Sequence, residues 1–328
     1  LKQLKNSLTR RDILVIVLLQ KIDCIQSTTK AMVKILMKIR LVIFVPLVFF
    51  SCISYGDERF DLDTPEGWAM AFMTTSAQNL GLMPPRSVNT RDLSISAELS
   101  SIPHLTKEQQ VVDIGVTKTE DLNKTPVFGR LRVSVGFPWD ISAEISWTPP
   151  VKINDSKPDH LWGAALSKPL FSNEKIGLGL RFFLLRGGVI ASVTCSEDVI
   201  NFPVYTSNEN PVGCVGLSKD RLKMNHEGVE VFLSFKNSSE IHPWISLASS
   251  NLDSSVKIDA PLQAGRERSA IQSSGSTHTF SLGFSYEFRK NWDLNISSSY
   301  TPLDVNRPND SSGNDDFWNL KAGLTIRF

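Results

Sequence analysis

Hydrolytic chemistry in this chain would have to start from its five histidines. A histidine followed two residues later by a serine places both side chains on one face of a strand, where the imidazole can activate the hydroxyl for acyl transfer. At that spacing His104, His160, His226, His242 and His278 are followed by Thr106, Trp162, Gly228, Trp244 and Phe280, so no such pair forms. An aspartate two residues before a histidine would orient a base toward water, but those positions hold Ile102, Pro158, Met224, Glu240 and Ser276. His226-Glu227-Gly228-Val229-Glu230 opens like a zinc-binding helix and lacks the second histidine. No phosphate-cradling glycine loop, dinucleotide fingerprint or cysteine pair at metal spacing is present. The expectation is a protein that is not an enzyme, with no catalytic residue, no metal and no cofactor.

The remaining chemistry is charge on strands of period two. Leu93–Leu99, Leu131–Phe137, Ile141–Trp147, Ile176–Leu184, Val229–Phe235, Phe280–Phe288 and Trp292–Tyr300 each alternate apolar residues with Ser, Gly or charged ones. On the polar faces lie Arg130, Arg132, Glu144, Arg181, Glu230, Glu287, Asp293, Lys321 and Arg327. Short turns at 138–140, 170–174, 236–240 and 289–291 alternate with long Ser/Asn/Asp/Pro-rich loops at 149–159, 187–225, 251–276 and 302–316. Phe137, Trp139, Phe235, Phe288, Trp292 and Phe328 gather toward the short turns, while Trp147, Trp162, Tyr300 and Trp318 flank the long loops. No stretch after residue 57 is apolar over the ~20 residues a membrane helix needs.

The last nine residues carry the same signal most cleanly. Leu320, Ala322, Leu324, Ile326 and Phe328 share one face; Lys321, Gly323, Thr325 and Arg327 share the other. This strand, the sorted loops and the two aromatic sets resemble Gram-negative outer-membrane β-barrel proteins. The resemblance implies a transmembrane antiparallel up-and-down barrel in the outer membrane, with the lipid of that membrane as its solvent. It also implies recognition of Leu324, Ile326 and Phe328 by the barrel-assembly machinery. Counting back from a periplasmic C-terminus gives about twelve strands if 67–76 and 109–118 pair, and ten if only 92–102 precedes 127–137. The polar stretch Thr119–Pro126 suits a loop, or a segment folded into the lumen.

Met37, the basic Lys38 and Arg40, the apolar run Leu41–Phe50 and the small Ser54 and Gly56 follow the order of a signal peptide. Four segments follow: 1–36 upstream, 37–56 signal peptide, 57–91 a first strand or lumen plug, and 92–328 the barrel. A lipid on Cys52 is the rival reading of the leader. Residues 1–56 hold nine of the 35 Lys/Arg and two of the 34 Asp/Glu, leaving 26 basic and 32 acidic groups, a net of −6. That balance does not suit nucleic acid. Cys195 and Cys214 remain beyond the leader, and in an exported chain they read as one disulfide.

The sequence-level reading of function is a channel for small solutes across the outer membrane. Arg130, Arg132, Glu144, Arg181, Glu230, Glu287, Lys321 and Arg327 would set its selectivity. The alternatives are a structural or adhesin-like barrel with a plugged lumen, and, by analogy with the fatty-acid-transporter-like barrels, passage of apolar molecules past a plug formed by 57–91.

Overall fold

The computed structural model describes residues 58–112, 118–205, 209–236, 240–307 and 315–328. Residues 1–36 and 37–56, read above as an upstream segment and a signal peptide, lie outside the described residues, as does Cys52. Ten barrel strands follow one another up and down: β1 (Leu93–Ser101), β2 (Val127–Phe137), β3 (Ile141–Trp147), β4 (Lys157–Ser172), β5 (Ile176–Ala191), β6 (Asp220–Phe235), β7 (Ile241–Lys257), β8 (Ala270–Arg289), β9 (Trp292–Thr301) and β10 (Phe317–Arg327). Each pairs antiparallel with the next, and β10 pairs with β1 to close the wall, with Ile326 opposite Ile95. The strand count is the lower of the two that the sequence left open.

Alternation decides which face is which. In β10 the even-numbered Leu320 and Leu324 are exposed while Asn319, Lys321 and Thr325 are buried. Leu99, Leu131, Ile145, Leu166, Phe182, Leu247 and Leu282 extend the same exposed apolar face around the wall. A soluble monomer rarely exposes more than a few hundred Å² of contiguous apolar surface. A belt that encircles the molecule has hydrocarbon as its solvent. Exposed aromatics edge the belt at both ends, with Phe137, Trp139, Phe235, Phe288 and Phe328 below and Trp147, Trp162 and Trp318 above. No helix among the described residues is long and apolar enough to cross a membrane; the strands make the crossing.

The wall has two heights. Strands β4 to β8 run 16–20 residues, while β9, β10 and β1 to β3 run 7–11. The tall strands therefore extend into what the composition marks as long loops: β6 starts at Asp220 and β7 runs on to Lys257. Above the belt both faces of these strands are polar or mixed, so the hydrophobic alternation that reveals a strand is lost there.

Residues 61–86 run down the inside of the barrel. Glu58–Phe60 pairs in parallel with Ile271–Ser273 at the top of β8, where β9 no longer covers that strand. Helix α1 (Pro65–Ser76) follows. Thr64 caps it by accepting from the Gly67 amide at 3.1 Å, Pro65 occupies its first turn, and Glu66 adds a favourable negative charge. The stretch 67–76 is thus helical rather than a wall strand. Gly67–Met73 is apolar on every side because the helix is enclosed within the barrel, and Thr74 in its last turn shares a hydrogen bond of 2.7 Å with Ser254 of the wall. One flank of α1 places Phe72 5.3 Å from Phe317, and the opposite flank packs Met70 with Leu161, Leu185, Leu222 and Met224. Below the helix the chain lies so close to the wall that two inward positions require glycine. A Cβ on Gly179 would sit 2.7 Å from Pro85, and one on Gly136 would sit 2.1 Å from the Asn89 carbonyl oxygen. Of the other stretch needed for a twelve-strand count, Val111–Val112 pairs with Lys118–Thr119 in a small hairpin outside the barrel sheet.

Candidate functional site

The register brings the inward charges together at mid-barrel. Glu98 on β1 lies opposite Arg130 on β2, and Arg181 on β5 lies opposite Glu230 on β6. Arg132 donates to Glu98 and to Glu144, each at 2.7 Å. Arg181 reaches Glu144 at 2.8 Å, so Glu144 is shared by two guanidiniums.

The same arginines hold the plug. Helix α1 ends with backbone carbonyls that have no partner in the helix and carry the negative end of its dipole. Arg130 donates to the carbonyls of Ala77 and Gln78 and to Asn79 Oδ1. Arg181 donates to the Asn79 carbonyl, and Arg132 to that of Leu80 at 2.8 Å. Glu230 closes the clamp by accepting from the Gly81 amide at 2.9 Å. Five of the eight residues expected to line a passage, Arg130, Arg132, Glu144, Arg181 and Glu230, are therefore brought together in one network that seats the plug. Lys321 is buried on the same level, and its ammonium has no hydrogen-bond partner among the described residues. Glu287 and Arg327 sit apart at the periplasmic end, 3.0 Å from each other, with Arg327 and Arg86 both bound to the buried Asp293. Two members escaped the sequence reading. Glu98 stands on the polar face of an alternating strand and was visible by the same parity. Asn79 and its neighbours act through backbone carbonyls, which leave no signature in side-chain type.

Above the clamp is a chamber of about 620 Å³. Met70, Met73, Phe128, Leu222, Met224 and Ile271 give it an apolar lining, with Glu66, Glu120, Lys124 and Asp220 also at its surface. The long loop between β5 and β6 forms part of its roof. The disulfide Cys195–Cys214 ties that loop together, as the sequence suggested. The Asp220 carboxylate accepts from the amides of Val193 and Thr194 and from the Ser218 hydroxyl. Lys118 donates to the Thr194 carbonyl and pairs with Glu120 at 3.3 Å, which ties the 103–126 segment to the same loop. No group of three or more His, Cys, Asp or Glu side chains suited to a metal ion occurs among the described residues.

Burial pushes the Glu120 carboxyl from its ordinary 4.5 up to about 7, against the pull of Lys118. A carboxyl raised in the folded state contributes stability that is fully present below its unfolded value and is lost as pH rises through its folded one. The roof contact should therefore weaken between about 4.5 and about 7. Hydrogen exchange at 118–122, corrected for the intrinsic rate, is expected to speed up across that interval, and Glu120→Gln should flatten the profile. An unchanged slope in the variant would assign the pH dependence to another group.

No family model matches the chain, and no curated protein matches it. Solved structures similar to it include the outer membrane protease OmpT from Escherichia coli (12% identity, TM-score 0.38, covering 73% of this chain and 94% of that one). The attachment invasion locus protein Ail of Yersinia pestis is similar at 12% identity, with TM-score 0.29, over 72% of this chain and 97% of its own. The Pseudomonas putida toluene transporter TodX is similar at 8% identity, with TM-score 0.30, over 74% of this chain and 68% of its own. Closed antiparallel wall, apolar belt, aromatic edges and sorted loops make this chain an outer-membrane β-barrel of the Gram-negative kind.

Proposed function

We propose that the barrel captures a small apolar molecule at the cell surface and releases it inward when the plug shifts. The observation that carries this reading is the chamber of about 620 Å³ above the clamped plug. Pockets that enclose small ligands run about 300–1,000 Å³ and combine an apolar lining with a few polar groups. Met70, Met73 and Met224 supply surfaces that adapt to ligands of different shape. Residues 77–81 occupy the lumen below, so a molecule that passes must displace a segment held by three guanidiniums. A channel for small polar solutes is the second reading. The buried ammonium of Lys321, which has no hydrogen-bond partner among the described residues, favours it, because such a group is stabilised by water or an anion beside it.

The test uses the full chain in lipid nanodiscs with an apolar diazirine probe, followed by mass mapping of the labelled residues. Label at Met70, Met73 or Met224 that excess toluene suppresses is the expected result. Label confined to lipid-facing residues away from the chamber, such as Leu166, Leu247 and Leu282, would sink the proposal. Discrete conductance steps from the unmodified chain in a planar bilayer would favour the second reading.

A further inference from the structure

The tall wall is polar on its outside above the belt, and the cations there are grouped. On β6 the outward residues run Arg221, Lys223, Asn225 and Glu227 before the apolar Val229, Val231, Leu233 and Phe235. Lys257 of β7 stands directly opposite Arg221. On the other side Ile190 of β5 stands opposite Arg221, and Lys157 of β4 stands opposite Ile190. Lys157, Arg221, Lys223 and Lys257 thus share one outward face across four adjoining strands.

Carboxylates answer only part of this charge. Arg221 pairs with Asp159, and Arg186 pairs with Glu227 at 2.6 Å. No ion pair involves Lys157, Lys223 or Lys257 among the described residues. Like charges directly opposite on a sheet destabilise it, so the Arg221–Lys257 juxtaposition is relieved by an anion placed between them. Height identifies which anion. The Arg186–Glu227 pair marks the upper edge of the apolar belt on these strands. Lys223 lies four residues further along a tilted strand, roughly 13 Å of chain path, which is the level of lipid headgroups rather than of bulk solution.

We infer that Lys157, Lys223 and Lys257, with Arg221, form a binding surface for the phosphate groups of outer-leaflet lipid on the tall wall. The occupant is a phosphorylated glycolipid whose acyl chains lie on the apolar belt directly below. The short wall offers no comparable group: the upper outward positions of β9, β10 and β1 hold Tyr300, Trp318 and Leu99. The phosphorylated lipid is therefore held on one side of the barrel only.

The full chain in detergent micelles is titrated with bis-phosphorylated lipid A and, separately, with the same lipid stripped of phosphate. Binding of the phosphorylated form alone is expected, falling steeply as salt is raised to about 0.5 M. The triple substitution Lys157→Gln, Lys223→Gln, Lys257→Gln should weaken it about a hundredfold while the gel-mobility shift of the folded barrel is retained. The matched substitutions Lys168→Gln, Lys175→Gln and Lys290→Gln, toward the periplasmic turns, should leave affinity unchanged. Equal binding of the two lipid forms, or undiminished binding by the first triple variant, overturns the inference. Competition by inorganic phosphate as effective as the lipid itself overturns it too, because the surface would then take a soluble anion.

Discussion

Arg132→Ala should lower the unfolding free energy of the barrel by about 3–5 kcal/mol, the cost of removing one partner from a buried ion pair. Arg132 hydrogen-bonds two carboxylates and the plug at once, at Glu98, Glu144 and the Leu80 carbonyl, whereas Arg181 hydrogen-bonds Glu144 and the plug and lies 3.8 Å from Glu230. With Arg132 gone, Glu98 keeps no hydrogen bond to a cation, and Glu144 keeps only Arg181. Urea titration in lipid vesicles, read by gel mobility, checks the figure. Arg132→Lys should recover only part of the loss, because a single ammonium cannot spread over three acceptors as the guanidinium fork does. A variant as stable as the parent would mean that water in the lumen already solvates these carboxylates.

Arg130→Ala should act differently, with little harm to the wall and a large effect on closure. All of the hydrogen bonds that Arg130 makes go to the plug, at Ala77, Gln78 and Asn79. The mid-barrel cluster holds Arg130, Arg132, Arg181 and Lys321 against Glu98, Glu144 and Glu230, four cations to three anions. Removing Arg130 therefore leaves the wall balanced rather than creating an orphaned charge. Hydrogen bonds to charged groups contribute about 1.5–3 kcal/mol each, so losing three of them should turn a seated plug into one that opens a measurable fraction of the time. The expected readout in a planar bilayer is brief conductance bursts absent from the parent, with the gel-mobility shift of the folded wall retained and stability in urea lowered only by the docking energy the plug has lost. Silent bilayers from folded Arg130→Ala would show that α1 packing alone seats the plug.

The wall was legible where each strand has lipid on one side and the lumen on the other. Leu131–Phe137 and Trp292–Tyr300 alternate for that reason, and the strands that hold them were placed at 127–137 and 292–301, where the structure has them. Legibility stopped at the top of the belt. In Asn251–Lys257 the outward Asn251, Asp253 and Ser255 are polar and lie above the hydrocarbon, while the inward side mixes Leu252 with Ser254, so no period stands out. Helix α1 was hidden by its burial. Gly67–Phe72 reads as a continuous apolar run, and only Thr64-Pro65-Glu66 marks a helix start. For the site, parity placed Arg130, Arg132, Arg181, Glu144 and Glu230 inside the barrel. It gave no hint that their counterpart is the main chain of 77–81, because a carbonyl looks the same in every residue.

The order of the chain has a consequence for how the barrel is made. The plug precedes every strand that encloses it, and the wall is sealed only where Ile326 of the last strand meets Ile95 of the first. An empty, finished cylinder cannot receive this segment, which is tied to β8 at its upper end by Glu58–Phe60 and continues directly into β1 at its lower end. The sheet must be wound around residues 61–86 as around a mandrel. The gripping arginines lie on β2 and β5, in the first half of the winding, and can take hold before the distant seam is closed at its higher entropic cost. Weakening that grip should therefore appear as a lower yield of sealed barrels during assembly as well as in the barrels that have formed.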